Sequence, residues 1–402
     1  MNAAPPPQPA ADAPGPFRRL KYATAIALAG IAIGALAWAQ AGDKVPVAGP
    51  KAEVAKPTDA AKDGAKPAAA AAPDKAHVAA KPATPPSGIV KGGNVSAWNI
   101  TDTAKVFADA KRLGLDTITV PVRVDMAAAN ASEVTLDAAS LEFAKKIVES
   151  NPSYNYIIEP YPWIDNGNVP ETDLDPADKA AWFVSYQGAL VSLAKHFPTA
   201  WGLYVASNLV KIEDQSASWI ALVKGVRAAF PGKIIYRTQW WATAAWEPST
   251  VKAYQAKLNN PLFGAVDVIA IASYFELSET AAPTTADIKA ALRSTTVFAR
   301  KQDVYAEVMA LGAKWQKPIF LGELSCPSVD FGAQNPWDPA ASETPNADIQ
   351  RNYLTAYLET FARDPAKFMG FSLFTIGHPT VTPYELAPSA AEYVRSFKLP
   401  HR

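Results

Sequence analysis

The sequence predicts a (β/α)8 barrel carried on a long polar tether. Three observations predict it. From Gly88 onward, short β-branched or aromatic strand patterns alternate with amphipathic helix patterns about eight times over. Aromatic and polar residues gather where these strands run out, as they do at the carboxy-terminal mouth of such a barrel. Composition also breaks near residue 88: ten of the 11 Trp lie beyond it, while the stretch before it is rich in Ala, Pro and Lys. A barrel takes roughly 250 residues or more, so a chain of 402 fits one barrel plus appendages.

The appendages come first. Residues 1–21 form a Pro- and Ala-rich leader with nothing to bury, ending in Arg18, Arg19 and Lys21. An uncharged run over residues 22–41 follows, long enough to cross a bilayer as a helix of roughly 20 residues, with the basic cluster held in the cytoplasm. The competing reading is a cleaved signal peptide, since Ala37-Trp38-Ala39 and Ala39-Gln40-Ala41 fit a small-x-small cleavage pattern. Either way the expected location of the barrel is the periplasm or cell exterior. Residues 42–87 are a low-complexity Ala/Lys/Pro linker that cannot form a core; extended, it reaches on the order of 100 Å. The barrel is expected over residues 88–402.

Within it the first strand is expected at Asn94–Trp98 and the first helix at Thr103–Leu113, whose Val106, Phe107, Ala110 and Leu113 share a face and which Gly114 ends. Thr117–Val124 is a β-branched second strand, and a helix over Leu136–Glu149 leads to the third, Tyr154–Glu159. The Pro-rich loop after it carries Tyr161 and Trp163, and its length marks it as functional. A long helix to His196 is expected to start at an Asp175 cap with Pro176 at N1. The fourth strand, Ala200–Ala206, runs into Ser207, Asn208 and Leu209, and a helix over Ser216–Phe230 follows. The fifth strand, KIIYRTQWW, delivers Gln239, Trp240 and Trp241; after a helix over Ser249–Leu258 the sixth, VDVIAIASYF, delivers Tyr274 and Phe275. Helices at Thr285–Leu292 and Val297–Trp315 precede KPIFLGELSCPS, where Pro318 opens a short buried strand and Glu323 closes it. A helix over Ala347–Phe361 and the strand FMGFSLF, ending near Phe374, complete the series.

Charge is balanced, with 38 basic and 38 acidic residues, which leaves no electrostatic footprint for nucleic acid and suits a neutral polymer. Cys326 is the only cysteine, so there is no internal disulfide. No cofactor or metal is expected, because no His/Cys/Asp cluster has ligand spacing and no Gly-rich phosphate loop follows a strand.

If the barrel closes, its mouth collects Trp98, Arg123, Glu159, Tyr161, Trp163, Asn208, Gln239, Trp240, Trp241, Tyr274, Glu323, Trp337 and Phe374. That mixture suits an oligo- or polysaccharide: aromatic rings stack on the apolar faces of sugars, while amides, Arg and carboxylates bond hydroxyls. Trp182, Trp201, Trp219 and Trp315, on helices or at a strand start, are expected in the core.

Taken in order, PYPWIDNG…ET…P, WGLYVASNLVKIED, DVIAIASYFELS, KPIFLGELSCPS and the strand over Gly370–Phe374 resemble glycoside hydrolase family 113 and its relatives among the clan A (β/α)8 glycosidases. The resemblance spans most of Gly93–Phe397. It implies a retaining pair of carboxylates, with Glu323 as the nucleophile and Tyr274 as the tyrosine that holds it. It also implies a Glu acid/base at the fourth strand end, where this chain has Asn208, which cannot donate a proton to a leaving oxygen. Phe374 stands where the family usually has Trp. Glu159, Glu213 and Glu276 are the substitute acids within sequence reach, Glu159 being the best placed, though it also suits a structural role.

Two functions follow. One is an extracytoplasmic glycosidase acting on a β-linked polysaccharide through Glu323. The other is a carbohydrate-binding pseudoenzyme that keeps the cleft without the chemistry. A structural component of an envelope polysaccharide machine is a weaker third.

Overall fold

The computed structural model describes residues 89–398. The leader, the apolar run and the linker expected over residues 1–87 lie outside the described residues, as do 399–402. Among the described residues no helix is long and apolar enough to cross a membrane.

Eight parallel strands close on themselves: β1 (Val90–Val95), β2 (Thr117–Met126), β4 (Asn155–Ile164), β5 (Gly202–Ser207), β6 (Lys233–Gln239), β7 (Val268–Ala272), β8 (Ile319–Leu324) and β9 (Phe368–Ile376). Pairing of β1 with both β2 and β9 shuts the ring. A two-residue strand, β3 (Thr135–Leu136), pairs antiparallel with the end of β2. The helices that return the chain are α1 (Thr103–Leu113), α2 (Ala138–Ser150), α3 (Lys179–His196), α4 (Ser216–Arg227), α5 (Pro248–Leu258), α6 (Leu262–Ala265), α7 (Thr285–Arg293), α8 (Val304–Trp315), α9 (Ala347–Phe361) and α10 (Pro388–Ser396).

Strand alternation divides the apolar residues into two cores. Val90, Ile157, Trp201, Tyr204, Ile235, Val268, Ala270 and Phe320 fill the barrel interior. The opposite faces of the same strands pack on the helices, with Trp182, Tyr186, Trp219 and Tyr236 in mutual ring contact. Trp201 is thus core as expected, but inside the barrel rather than beneath a helix. The plugged floor leaves only the mouth for a ligand.

Several boundaries differ from the sequence reading, each for a local reason. Strand β1 begins four residues earlier than expected and runs through Gly92 and Gly93. A Cβ on Gly93 would stand 2.7 Å from Leu115, so the glycine is there for packing. Helix α3 begins at Lys179, because the side chain of Asp178, not Asp175, accepts the Ala181 N–H and caps it. Strand β4 runs on through Pro160 and Pro162 to Ile164. Its ladder with β5 covers only Ile157 and Ile158, so beyond them one edge is open and the missing proline donors are not called upon there.

Candidate functional site

Glu323 owes its direction to an irregularity in β8. Phe320 faces the barrel interior, so regular alternation would turn Gly322 inward and Glu323 out. The register with β7 instead runs from Ala270↔Phe320 to Ala272↔Glu323, two steps against three. The extra residue is a bulge, and it returns Glu323 to the inner side. Gly322 permits the close approach: a Cβ there would lie 2.9 Å from the Tyr204 hydroxyl and 3.1 Å from Arg237 Cδ. The backbone is held on both flanks, by Ser273 N donating to Glu323 O (2.7 Å) and Asn94 Nδ2 donating to Gly322 O (2.9 Å).

Glu323 is buried, 7% exposed as a residue. Burial pushes its pKa up to about 7, against the attraction of Arg237 and with the negative charges of Glu159 and Glu171 adding to the rise. Tyr274 stands beside it and contributes a hydrogen bond that favours the ionised form.

Arg237, which the sequence reading passed over, links the site. It lies on the same face of β6 as interior Ile235 and as Gln239, and is 1% exposed. One guanidinium nitrogen, Nη2, is paired with both Glu159 and Glu323, the latter at 2.7 Å. Those two carboxylates outweigh the burial that works against its charge and hold its pKa above the ordinary value. Glu159 also accepts a hydrogen bond from Ser207 Oγ (2.9 Å). Both bonds end on Oε1, so Glu159 helps to fix the Arg237 guanidinium.

At the end of β5 the backbone of Asn208 turns into the left-handed region (φ 57°), which Asn enters more readily than most residues. Its Nδ2 donates to Glu171 Oε1 at 3.1 Å, and its Oδ1 is buried with no protein partner. Glu171 opens a 3-10 turn, Glu171–Asp173, in the loop after β4. Burial raises its carboxyl pKa, opposed by the bond from Asn208. Tyr161 lies among three carboxylates, feeling the charges of Glu171, Glu323 and Glu159.

Around this centre stand the aromatics. Trp98 meets Trp163 edge-on at 4.6 Å between ring centroids, and Trp240 meets Tyr274 at 5.6 Å. Tyr274, Phe374 and Tyr384 continue as edge-on pairs at 6.2 and 5.4 Å. A small cavity at the mouth is bounded by Asn94, Trp98, Tyr161 and Phe374, with Glu159 and Glu323 on its wall.

Other expected site residues lie elsewhere or do other work. Arg123 covers the Trp163 ring at 3.9 Å and donates from Nε to Ala97 O, so it braces that Trp. Trp241 turns outward, stacked on Tyr254 with its indole N–H on Glu307 (2.8 Å); it is core, not cleft. Trp337, in the loop after β8, has its indole N–H buried without a protein acceptor. Glu213 is taken up by Lys257 and Thr238, and Glu276 by Arg300 at 2.7 Å, which removes both from the substitute acids.

Comparisons with known proteins point the same way. The sequence profile of Glycoside Hydrolase Family 113 matches residues 165–394, more than half of the chain. Among solved structures, the GH113 β-mannanase AaManA from Alicyclobacillus acidocaldarius, in complex with ManMIm, superposes with a TM-score of 0.59 at 16% identity. That likeness covers 77% of this chain and 96% of the other. A GH113 β-1,4-mannanase gives a TM-score of 0.57 at 17% identity, covering 77% and 98%. At these identities the likeness speaks for the (β/α)8 fold alone. A comparison with curated sequences finds no match.

Proposed function

The chain belongs to glycoside hydrolase family 113, and from that premise we propose that it cleaves a β-linked polysaccharide with retention of configuration, Glu323 being the nucleophile. The observation that carries this reading is the setting of Glu323: inward through a bulge, paired with Arg237, and touched by Tyr274 at the mouth of the barrel. Its carboxylate attacks the anomeric carbon, the bond to the leaving sugar breaks, and a glycosyl ester forms that water then hydrolyses. Arg237 keeps Glu323 partly ionised near neutral pH despite its burial.

β-1,4-Mannan is the substrate to try first, because two GH113 structures that share this fold are β-mannanases. Trp98, Tyr161, Trp240 and Phe374 supply ring faces for a neutral sugar chain. The basic cluster and apolar run before residue 42 support a barrel held outside the cytoplasm, where such polymers are found.

A 2-deoxy-2-fluoro-β-mannosyl fluoride tests the nucleophile, since fluoride leaves without protonation and the fluorine slows breakdown of the ester. Mass spectrometry of the digested protein is expected to find the label on Glu323. A label on another carboxylate would remove the assignment. Sugar binding with no label at all would favour the non-catalytic reading that Asn208 otherwise supports.

A further inference from the structure

The fourth strand end carries Asn208 where a proton donor is expected, yet a carboxyl group is in hydrogen-bond contact with that very side chain. We propose that Glu171 is the general acid/base of this enzyme, supplied by the loop after β4, and that Asn208 positions it. The inference rests on the retaining reading above and adds the residue that completes it.

Three observations carry it. First, Asn208 Nδ2 donates to Glu171 Oε1 at 3.1 Å, so the strand end still presents a carboxyl group, one side chain further out. Second, the turn bearing Glu171 is fastened to the segment that follows Asn208. Lys211 Nζ reaches both Asp173 Oδ1 and Asp173 O at 3.3 Å, Leu174 is fully buried, and Asp175 N donates to Ala129 O at 2.8 Å. Third, Glu171 lies close enough for its charge to act on Glu323 and on Tyr161, while Glu159 gives its Oε1 to both Arg237 and Ser207.

An amide suits this post better than a carboxylate would. The Asn208 Nδ2 donates to ionised Glu171; after rotation of the amide, its Oδ1, which has no protein partner, accepts from the protonated acid. Asn208 can therefore hold Glu171 in both of the states that a general acid/base must visit. Burial keeps the Glu171 carboxyl above the usual Glu range, which favours the protonated form at the start of the cycle.

The steps balance. Glu323 attacks the anomeric carbon as Glu171 gives its proton to the departing glycosidic oxygen; the carbon–oxygen bond breaks and the leaving sugar departs as an alcohol. Glu171, now a carboxylate, takes a proton from the incoming water, whose oxygen bonds to the anomeric carbon. The Glu323 ester is cleaved and Glu171 is protonated again.

The test compares two leaving groups in the purified full chain: β-1,4-mannotetraose, which needs protonation, and 2,4-dinitrophenyl β-mannobioside, which does not. In Glu171→Ala, kcat/KM on mannotetraose is expected to fall roughly 10²- to 10⁴-fold. Dinitrophenolate should still appear in a first-turnover burst and then stall, and sodium azide should restore turnover with a β-configured glycosyl azide as product. Glu171→Gln, closer in shape, should repeat the loss without the azide product and guards against misfolding of the shorter variant. Asn208→Ala should move the alkaline limb of the mannotetraose profile to higher pH, because the bond that favours the Glu171 carboxylate is gone, and Asn208→Gln should return it part of the way. Mannotetraose turnover within threefold of wild type in both Glu171 variants would overturn the proposal, as would azide rescue in Glu159→Ala instead. Wild-type protein that releases no dinitrophenolate at all, or whose first-formed product from mannotetraose is the α-anomer, would sink the retaining reading, and the assignment of Glu171 with it.

Discussion

The two sides of the barrel mouth are built differently. On the β7–β8 side, Glu323 sits on a strand, its direction set by a bulge and its backbone tied to Ser273 and Asn94. On the β4–β5 side, the strand ends in Asn208, and the carboxylate comes from a turn in the loop. A nucleophile must meet one carbon atom at one angle, so a rigid ladder suits it. A proton donor tolerates more freedom, because leaving groups differ in position from one linkage to another. On the reading proposed above, the acid has left its strand while the nucleophile has stayed on one.

Arg237 joins the two sides, and removing it should have the largest effect. Arg237→Leu would leave Glu159 and Glu323 facing each other in a buried site with no cation. Urea unfolding at pH 8 is expected to show a loss of about 3–5 kcal/mol. The loss should shrink toward pH 5 as Glu323, with its raised pKa, takes up a proton. A loss below about 1 kcal/mol at pH 8 would mean that the two sides are not coupled through this guanidinium.

Much of this architecture was legible in the sequence, and the exceptions have physical causes. The alternation of strand and helix patterns marked the barrel, and Gly322-Glu323 at the end of a short apolar strand marked the buried carboxylate at its mouth. Arg237 was hidden inside KIIYRTQ, where a charged residue within an apolar strand looks outward-facing. The signal was its parity with Gln239: a strand that turns Gln239 into the mouth turns the residue two earlier the same way. Glu171 was illegible, since a polar loop such as VPETDLD does not say which of its carboxyls will dock. In the fold the Asn208 Nδ2 contact picks out Glu171, while Asp173 pairs with Lys211. The bulge in β8 could not be read either, because it appears only in the register against β7.

If the two sides differ merely by moving one carboxylate, moving it back should work. Asn208→Glu combined with Glu171→Gln exchanges acid and amide across the same hydrogen bond. Relative to Glu171→Gln alone, the double variant is expected to regain about tenfold or more in kcat/KM on mannotetraose. Recovery should be partial, because Glu at φ 57° costs about 1 kcal/mol more than Asn. No gain over the single variant would indicate that the β5 end no longer reaches the glycosidic oxygen.

The smallest effect expected is on stability, and it concerns the rigid side alone. Glu323 has a folded pKa of about 7 against a reference of 4.5. Because the folded state holds this proton more tightly than the unfolded chain, the group opposes folding increasingly as pH rises from about 4.5 to about 7, and by a constant amount above that. Glu323→Gln replaces it with a neutral side chain of nearly the same shape, leaving Arg237 paired with Glu159. At pH 8 the variant is therefore expected to be more stable than wild type by about 1–3 kcal/mol. At pH 4, where the wild-type carboxyl is protonated in both states, the difference should vanish. Thermal unfolding at the two pH values measures it. A variant that is less stable at pH 8 would mean that the ion pair with Arg237 outweighs the burial of Glu323, and that the β7–β8 side is held together by its charge rather than strained by it.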